Sequence, residues 1–227
     1  RILAPLASQV LEACPHTFRK KATVVGNPVR KDIQQLPDPL IRIGRHLDAL
    51  RILVIGGSLG AQRLNEIVPE ALGQIAEDAR PEIVHQTGPA KLEMTQAFYQ
   101  RHGVEARIEA FIDDMAQAYS WADLVICRAG AMTVFELAAA GVGSILIPYP
   151  HAVDDHQTAN ANYLVQAGAA IVRQQHELTS DWLSETITRM TQQRDTLLNM
   201  AKAARSMAKP DAAFAVADCC MQAGGLA

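Results

Sequence analysis

Three segments place small or polar residues directly after short apolar runs, a pattern by which a backbone presents amides and side chains to a ligand. In the first, Ile52-Leu53-Val54-Ile55 gives way to Gly56-Gly57-Ser58-Leu59-Gly60-Ala61 and then to a helical pattern. Glycines there let the backbone approach a ligand closely, and the amides and dipole of the following helix favour a phosphate. A tight strand-to-helix turn with no ligand would use the same residues. The turn is not a dinucleotide fingerprint, since Ser58 stands at the second glycine of G-x-G-x-x-G and the next strand ends at His85, not at an acidic residue. Nor is it a P-loop, because no Gly-Lys-Ser/Thr follows.

The second segment, Leu124-Val125-Ile126-Cys127-Arg128-Ala129-Gly130-Ala131-Met132-Thr133-Val134-Phe135-Glu136, repeats the order of strand, small-residue turn and helix. Two such turns in one sheet would make a nucleotide crevice at the carboxyl ends of the strands. Glu136 could accept both hydroxyls of a ribose diol, although Thr133-x-x-Glu136 also reads as a capping box. The third, Pro148 to Asn160, is a polar loop entering a helix. His156, Gln157 and Asn160 could hydrogen-bond a polyhydroxyl ligand there, and Asp154 or Asp155 could cap the helix. Asp113 or Asp114 reads as the N-cap of another helix. No metal site is expected, because no second ligand cluster accompanies the third segment. No nucleophile elbow, Cys-His arrangement or matched carboxylate pair emerges, and His85, His102 and His176 are expected at the surface or at element ends.

The elements that must position these residues are short β-branched runs, each followed by a helical pattern. The strands read as Arg51 to Ile55, Glu82 to His85, Arg107 to Phe111, Leu124 to Cys127, Ser144 to Ile147 and Ala169 to Val172. Their alternation with helices predicts an α/β fold, a Rossmann-like parallel sheet with helices on both faces. Leu64, Ile67, Val68, Ala71, Leu72 and Ile75 keep helical spacing, with a kink expected at Pro69. Later helices read as Leu92 to Arg101, Met115 to Ala122, Thr133 to Ala140, His156 to Gln166, Asp181 to about Met207, and Asp211 to Met221. Leu3 to Glu12 is helical in pattern, Thr23 to Val25 reads as a short strand, and Asp32 to Leu50, with Pro37, Pro39 and Gly44, reads as a loop or linker.

Composition bounds the function. With 21 Lys+Arg against 24 Asp+Glu and a net charge of -3, the chain has no basic field for a polyanion, so no nucleic-acid partner is expected. The longest apolar stretch, Leu137 to Tyr149, is broken by Gly141, Gly143 and Pro148 and falls short of the roughly 20 residues that span a bilayer. Cys14, Cys127, Cys219 and Cys220 have neither metal-ligand nor disulfide-framework spacing, which suits a reducing compartment such as the cytoplasm. The chain opens Arg1-Ile2-Leu3 with no initiator Met and reads as a piece of something longer.

Taken in order, Gly26-Asn27-Pro28-Val29-Arg30, Gly56 to Ala61, Phe111-Ile112-Asp113-Asp114-Met115, Cys127 to Thr133 and Asp155-His156-Gln157-Thr158 resemble the carboxyl-terminal half of the MurG family of bacterial glycosyltransferases. That family transfers N-acetylglucosamine from UDP-GlcNAc to lipid I, giving lipid II for peptidoglycan. The resemblance covers nearly the whole chain. It implies the carboxyl-terminal domain of a GT-B enzyme, two Rossmann-like domains facing across a cleft; no cofactor is expected. Residues 1–22 would be a remnant of the amino-terminal domain and interdomain helix, 23–207 the UDP-GlcNAc-binding domain, and 208–227 a carboxyl-terminal helix.

By the same resemblance, Ser58 and the turn of Gly57, Leu59, Gly60 and Ala61 would contact the diphosphate. The Ile112 backbone would meet the uracil, and Glu136 the ribose hydroxyls. Ala131, Met132 and Thr133, with Val134 and Phe135 beside them, would approach the phosphates and sugar. Gln157 would bind the GlcNAc hydroxyls, with His156 next to it, and Arg30 the donor from the hinge side. The family's amino-terminal domain, with its catalytic His, its lipid I acceptor site and its surface for the cytoplasmic face of the inner membrane, has no counterpart here, so the chain alone is expected to be inactive. The alternatives are a separate UDP-GlcNAc-binding subunit of a two-chain transferase, a UDP-GlcNAc 2-epimerase fragment, and a nicotinamide dehydrogenase, the last disfavoured by Ser58 and His85.

Overall fold

A computed structural model describes residues 6–15, 22–43, 49–57, 59–150, 152 and 155–225. A six-stranded, wholly parallel sheet forms the centre: β3 (Arg51–Ile55), β4 (Glu82–Gln86), β5 (Arg107–Glu109), β6 (Leu124–Cys127), β7 (Gly143–Leu146) and β8 (Ala170–Val172). Their spatial order is β5-β4-β3-β6-β7-β8, so the chain reverses direction across the sheet between β3 and β6. In doubly wound sheets a ligand crevice opens at the carboxyl ends of the strands flanking that reversal. The two Gly-rich turns follow those two strands.

Both faces of the sheet are covered, as the near-continuous apolar strands require. Ile52, Val54, Leu124 and Ile126 face one layer, which holds Leu64, Ile67 and Val68 of α3 (Gln62–Gly73) and Leu183, Ile187 and Met190 of α8 (Ser180–Gln192). Leu53, Ile55, Val125 and Cys127 face the other, with Val134, Phe135 and Leu137 of α6 (Ala131–Ala140) and Ala161 and Leu164 of α7 (His156–Val165). Two arginines anchor the carboxyl end of α6. Buried Arg42 donates to Tyr119 O, Ala140 O and Gly141 O, and Arg205 donates to Ala140 O at 3.2 Å and Leu36 O at 2.9 Å. Cations at this end complement the helix dipole and fix the helix whose other end faces the crevice. Burial lowers the Arg42 pKa to about 10. Among the described residues no helix is long and apolar enough to cross a membrane.

Several expectations are corrected. Val10–Glu12, expected as helix, is a strand (β1) paired in parallel with β2 (Ala22–Val24), because its backbone groups find partners across the chain; Val25 N also donates to Glu12 O at 3.0 Å. This pairing runs across the expected boundary between residues 22 and 23. The segment read as a linker contains α1 (Lys31–Gln34) and α2 (Pro39–Ile43). Proline at the start of α2 is compatible with a helix, since that position needs no amide donor, and Asp38 Oδ1 accepts from Leu40 N at 2.8 Å. The long helix after Asp181 divides into α8 and α9 (Arg194–Ser206), where Gln193 leaves helical geometry at φ −117° and ψ 64°. Helix α3 runs through Pro69 as one element. Among the described residues the remaining α-helices are α4 (Leu92–Arg101), α5 (Met115–Trp121) and α10 (Ala212–Ala223).

Candidate functional site

The turn after β3 is forced into close contact with the turn after β4. Gly60 has φ +67°, and a Cβ there would lie 1.8 Å from Thr87 O, while a Cβ on Gly88 would lie 2.6 Å from Gly60 N. Only glycine tolerates such an approach together with a left-handed backbone. Helix α3 then starts from Ala61, which has no side-chain oxygen to cap it. Helix α6 starts in the same way from Gly130, again with no side-chain cap. Its first intrahelical bond is Val134 N to Gly130 O at 3.0 Å, so the amides of Ala131, Met132 and Thr133 precede the ladder.

Both uncapped helix starts open on one cavity of about 760 Å³, lined by Gly56, Gly57, Leu59, Gly60 and Ala61 from the first turn and by Arg128, Gly130 and Thr133 from the second. Tyr149, Gln157 and Gln175 close its third side. Gln157 Oε1 accepts from Tyr149 N at 2.9 Å, which holds the polar loop against the start of α7. The combined dipoles and amides make the cavity a place for a multiply charged anion.

A second group gathers around Glu136, one turn further along α6. Tyr119 on α5 donates its hydroxyl to Glu136 Oε2 at 3.0 Å, and Arg30 Nη2 lies 3.9 Å from Glu136 Oε1. Burial raises the Glu136 pKa, against the opposing pull of the Tyr119 hydrogen bond and the Arg30 charge. Burial also holds Tyr119 well above its ordinary value, so it stays a protonated donor. The capping-box reading of Thr133 and Glu136 is corrected: the helix begins at Ala131, so Thr133 lies within its first turn and cannot be its N-cap.

A third group lies under the β5–α5 connection, where Phe111, Ile112, Gln117 and Trp121 line a cavity of about 320 Å³. Asp114 caps α5, accepting from Gln117 N at 2.8 Å. The end of β4 needs a different account from the one expected. His85 is 0% exposed, with Nδ1 2.8 Å from Tyr99 Oη and Nε2 3.1 Å from Asn65 Oδ1. Burial lowers its pKa to about 3, so the ring is neutral and structural. A strand covered on both faces has no surface position for it.

Residues 51–216 match the family described as the glycosyltransferase family 28 C-terminal domain. The chain belongs to this family. It is 50% identical over 98% of its length to a Marinobacter nauticus protein, and 52% identical over 98% to one from Dechloromonas aromatica. Both relatives are named UDP-N-acetylglucosamine--N-acetylmuramyl-(pentapeptide) pyrophosphoryl-undecaprenol N-acetylglucosamine transferase. The crystal structure of Acinetobacter baumannii MurG superposes with a TM-score of 0.85 at 42% identity, covering 96% of this chain and 61% of that one. The chain spans about 62% of the length of the curated relatives it matches. A GT-B-type fold is shared with these glycosyltransferases.

Within the matched residues, Gly57, Leu59, Gly60, Ala61, Thr133 and Gln157 come together in one cavity and Ile112 belongs to the separate smaller cavity, while Arg30, from ahead of the match, pairs with Glu136 beside the first. Ala131, Met132 and His156 are exposed near the helix starts, and Asn27 Nδ2 reaches Met132 Sδ at 2.8 Å. Val134 and Phe135 are 0% and 1% exposed, so their side chains pack in the core and do not face a ligand. Asp155 starts α7, but its Oδ1 accepts from the Thr158 hydroxyl at 2.7 Å and not from a backbone amide. The expected contacts of Ser58, and any capping by Asp154, lie outside the described residues.

Sequence reasoning passed over Lys91, Arg128, Tyr149 and Gln175 as lining residues. Arg128 donates to Ile147 O at 3.1 Å, to Pro148 O at 3.2 Å and to Gln175 Oε1, with its guanidinium 5.5 Å from the Tyr149 ring centroid. A cation directly before a small-residue turn was the available signal for Arg128. No local pattern marks Lys91 or Gln175, which reach the cavity from other connections of the sheet.

Proposed function

We propose that this chain is the donor-binding part of an inverting glycosyltransferase that moves N-acetylglucosamine from UDP-GlcNAc to lipid I. The observation that carries the reading is the pair of helix starts, neither capped by a side chain, that open on a single cavity where the sheet reverses. A diphosphate placed there would meet the amides and dipoles of α3 and α6 as charge develops on the leaving UDP. Glu136, ionised, would take the ribose hydroxyls, and Ile112 in the smaller cavity would meet the base. Gln157, at the far wall, would face the sugar. The names of the relatives support the choice of donor and acceptor.

Inversion needs a base on the acceptor side of the sugar, opposite the leaving diphosphate. The residues gathered around the cavity are assigned to the donor, so the base, the lipid I site and the surface that meets the cytoplasmic membrane are placed in the part of the relatives that this chain does not span. The test is a transfer assay with a lipid I analogue. The 227-residue chain should transfer no GlcNAc. Joined covalently to the amino-terminal portion of one of these relatives, it should gain activity. Robust turnover by the chain alone, free of full-length enzyme, would contradict the division of labour.

A further inference from the structure

Lys91 lines the large cavity from an element that the reading above gives no part. It ends the short 3-10 turn Pro89–Lys91 before α4, and that turn is held by Lys91 N donating to Gly88 O at 3.1 Å and by Thr95 Oγ1 donating to Lys91 O at 2.7 Å. From this base its ammonium reaches across to the Gly-rich turn, donating to Leu59 O at 2.5 Å and lying 3.4 Å from Gly60 O. The other cations of the cavity are engaged elsewhere: Arg63 donates to Leu178 O at 2.9 Å, and Arg128 to Ile147 O, Pro148 O and Gln175.

A trans peptide carries its C=O and the next N–H on opposite sides. Holding the Leu59 and Gly60 carbonyls on the Lys91 side therefore turns the Gly60 and Ala61 amides to the other side, where Gly60 N donates to Gly57 O at 2.9 Å. Two carbonyl dipoles ending beside an anion site would otherwise repel a diphosphate. The ammonium covers them and adds a positive charge to the same wall.

We infer that Lys91 is a positioning residue for the diphosphate, fixing the peptide orientation of the Gly-rich turn and screening its carbonyls from the anion. The inference rests on the nucleotide-sugar reading above. It is tested in the 227-residue chain with Lys91→Met, which keeps an unbranched stem without the charge, and with Lys91→Arg. UDP is titrated by calorimetry and uridine by NMR, each at low and high salt. For Lys91→Met the UDP affinity is expected to fall about tenfold while uridine binding is kept, with a shallower salt dependence for UDP. Lys91→Arg should recover most of the UDP affinity. UDP affinity within about twofold of wild type in Lys91→Met, or equal losses for UDP and uridine, would overturn the assignment. A wild-type chain that binds no UDP would overturn the nucleotide reading, and this inference with it; a normal wild type beside an unaffected variant overturns this inference alone.

Discussion

Gly60→Ala is expected to destabilise the chain by about 2–6 kcal/mol, the sum of a strained backbone and an overpacked contact. The added Cβ would sit 1.8 Å from Thr87 O at a residue with φ +67°, and both sides of the contact are backbone, so neither can swing away. For a chain of this size the melting temperature should drop by roughly 5–20 °C. Gly57→Ala provides the comparison, because Gly57 has a similar φ of +77° but nothing within 4 Å of an added Cβ. It should cost only about 1–2 kcal/mol, from conformation alone. Because the clash would push the Gly-rich turn off the β4–α4 connection, Gly60→Ala should also lose UDP binding in whatever fraction remains folded. Equal melting temperatures for the two variants would show that the packing of the turns is not what requires Gly60.

Glu136→Gln should lower affinity for UDP-GlcNAc by about 10–100-fold, since hydrogen bonds to a charged group contribute about 1.5–3 kcal/mol. The fold should survive, because the amide oxygen can still accept from Tyr119 Oη and the cost of burying a charge is removed. The wild type should prefer ribose over 2′-deoxyribose nucleotides, and the variant should lose most of that preference. The pH dependence has a definite sign. Burial raises the folded-state pKa of Glu136 above its ordinary value of 4.5, so the folded chain holds the proton more tightly than the unfolded chain does. This group's contribution to stability therefore declines as pH rises from 4.5 to the raised value and is constant above it. Donor binding runs the other way, strengthening as the carboxylate ionises through the raised pKa, and the Gln variant should show a flat profile over that window. UDP-GlcNAc is the ligand for this profile, because its diphosphate does not titrate there. A ribose preference unchanged in the variant would remove Glu136 from the diol.

How much of this was legible in the residues depended on how local the cause was. The parallel sheet and its two Gly-rich turns follow from apolar runs and turn chemistry within about ten residues, and the strands lie where periodicity placed them, with ends moved by a residue or two. Asp114 as the α5 cap was similarly local. The misses have long-range causes. Val10–Glu12 is a strand because of a partner strand at Ala22–Val24, and a three-residue strand leaves almost no period to read. The break at Gln193 carries neither Gly nor Pro, so continuous helical spacing concealed it. His85 looked like an element end, yet the strand runs on to Gln86 and its two faces are both covered, which turns a polar side chain into a buried, fully partnered one. Lys91 reaches the site across more than thirty residues of sequence, and only the folded chain shows which carbonyls it holds.

Whether the two turns build a site for UDP-GlcNAc is decided by calorimetric titration of the 227-residue chain with UDP-GlcNAc, UDP-glucose and NAD under one set of conditions. UDP-GlcNAc should bind most tightly of the three, at an affinity lowered because a single wall buries less of the ligand than a closed cleft does. Equal or tighter binding of NAD would contradict it.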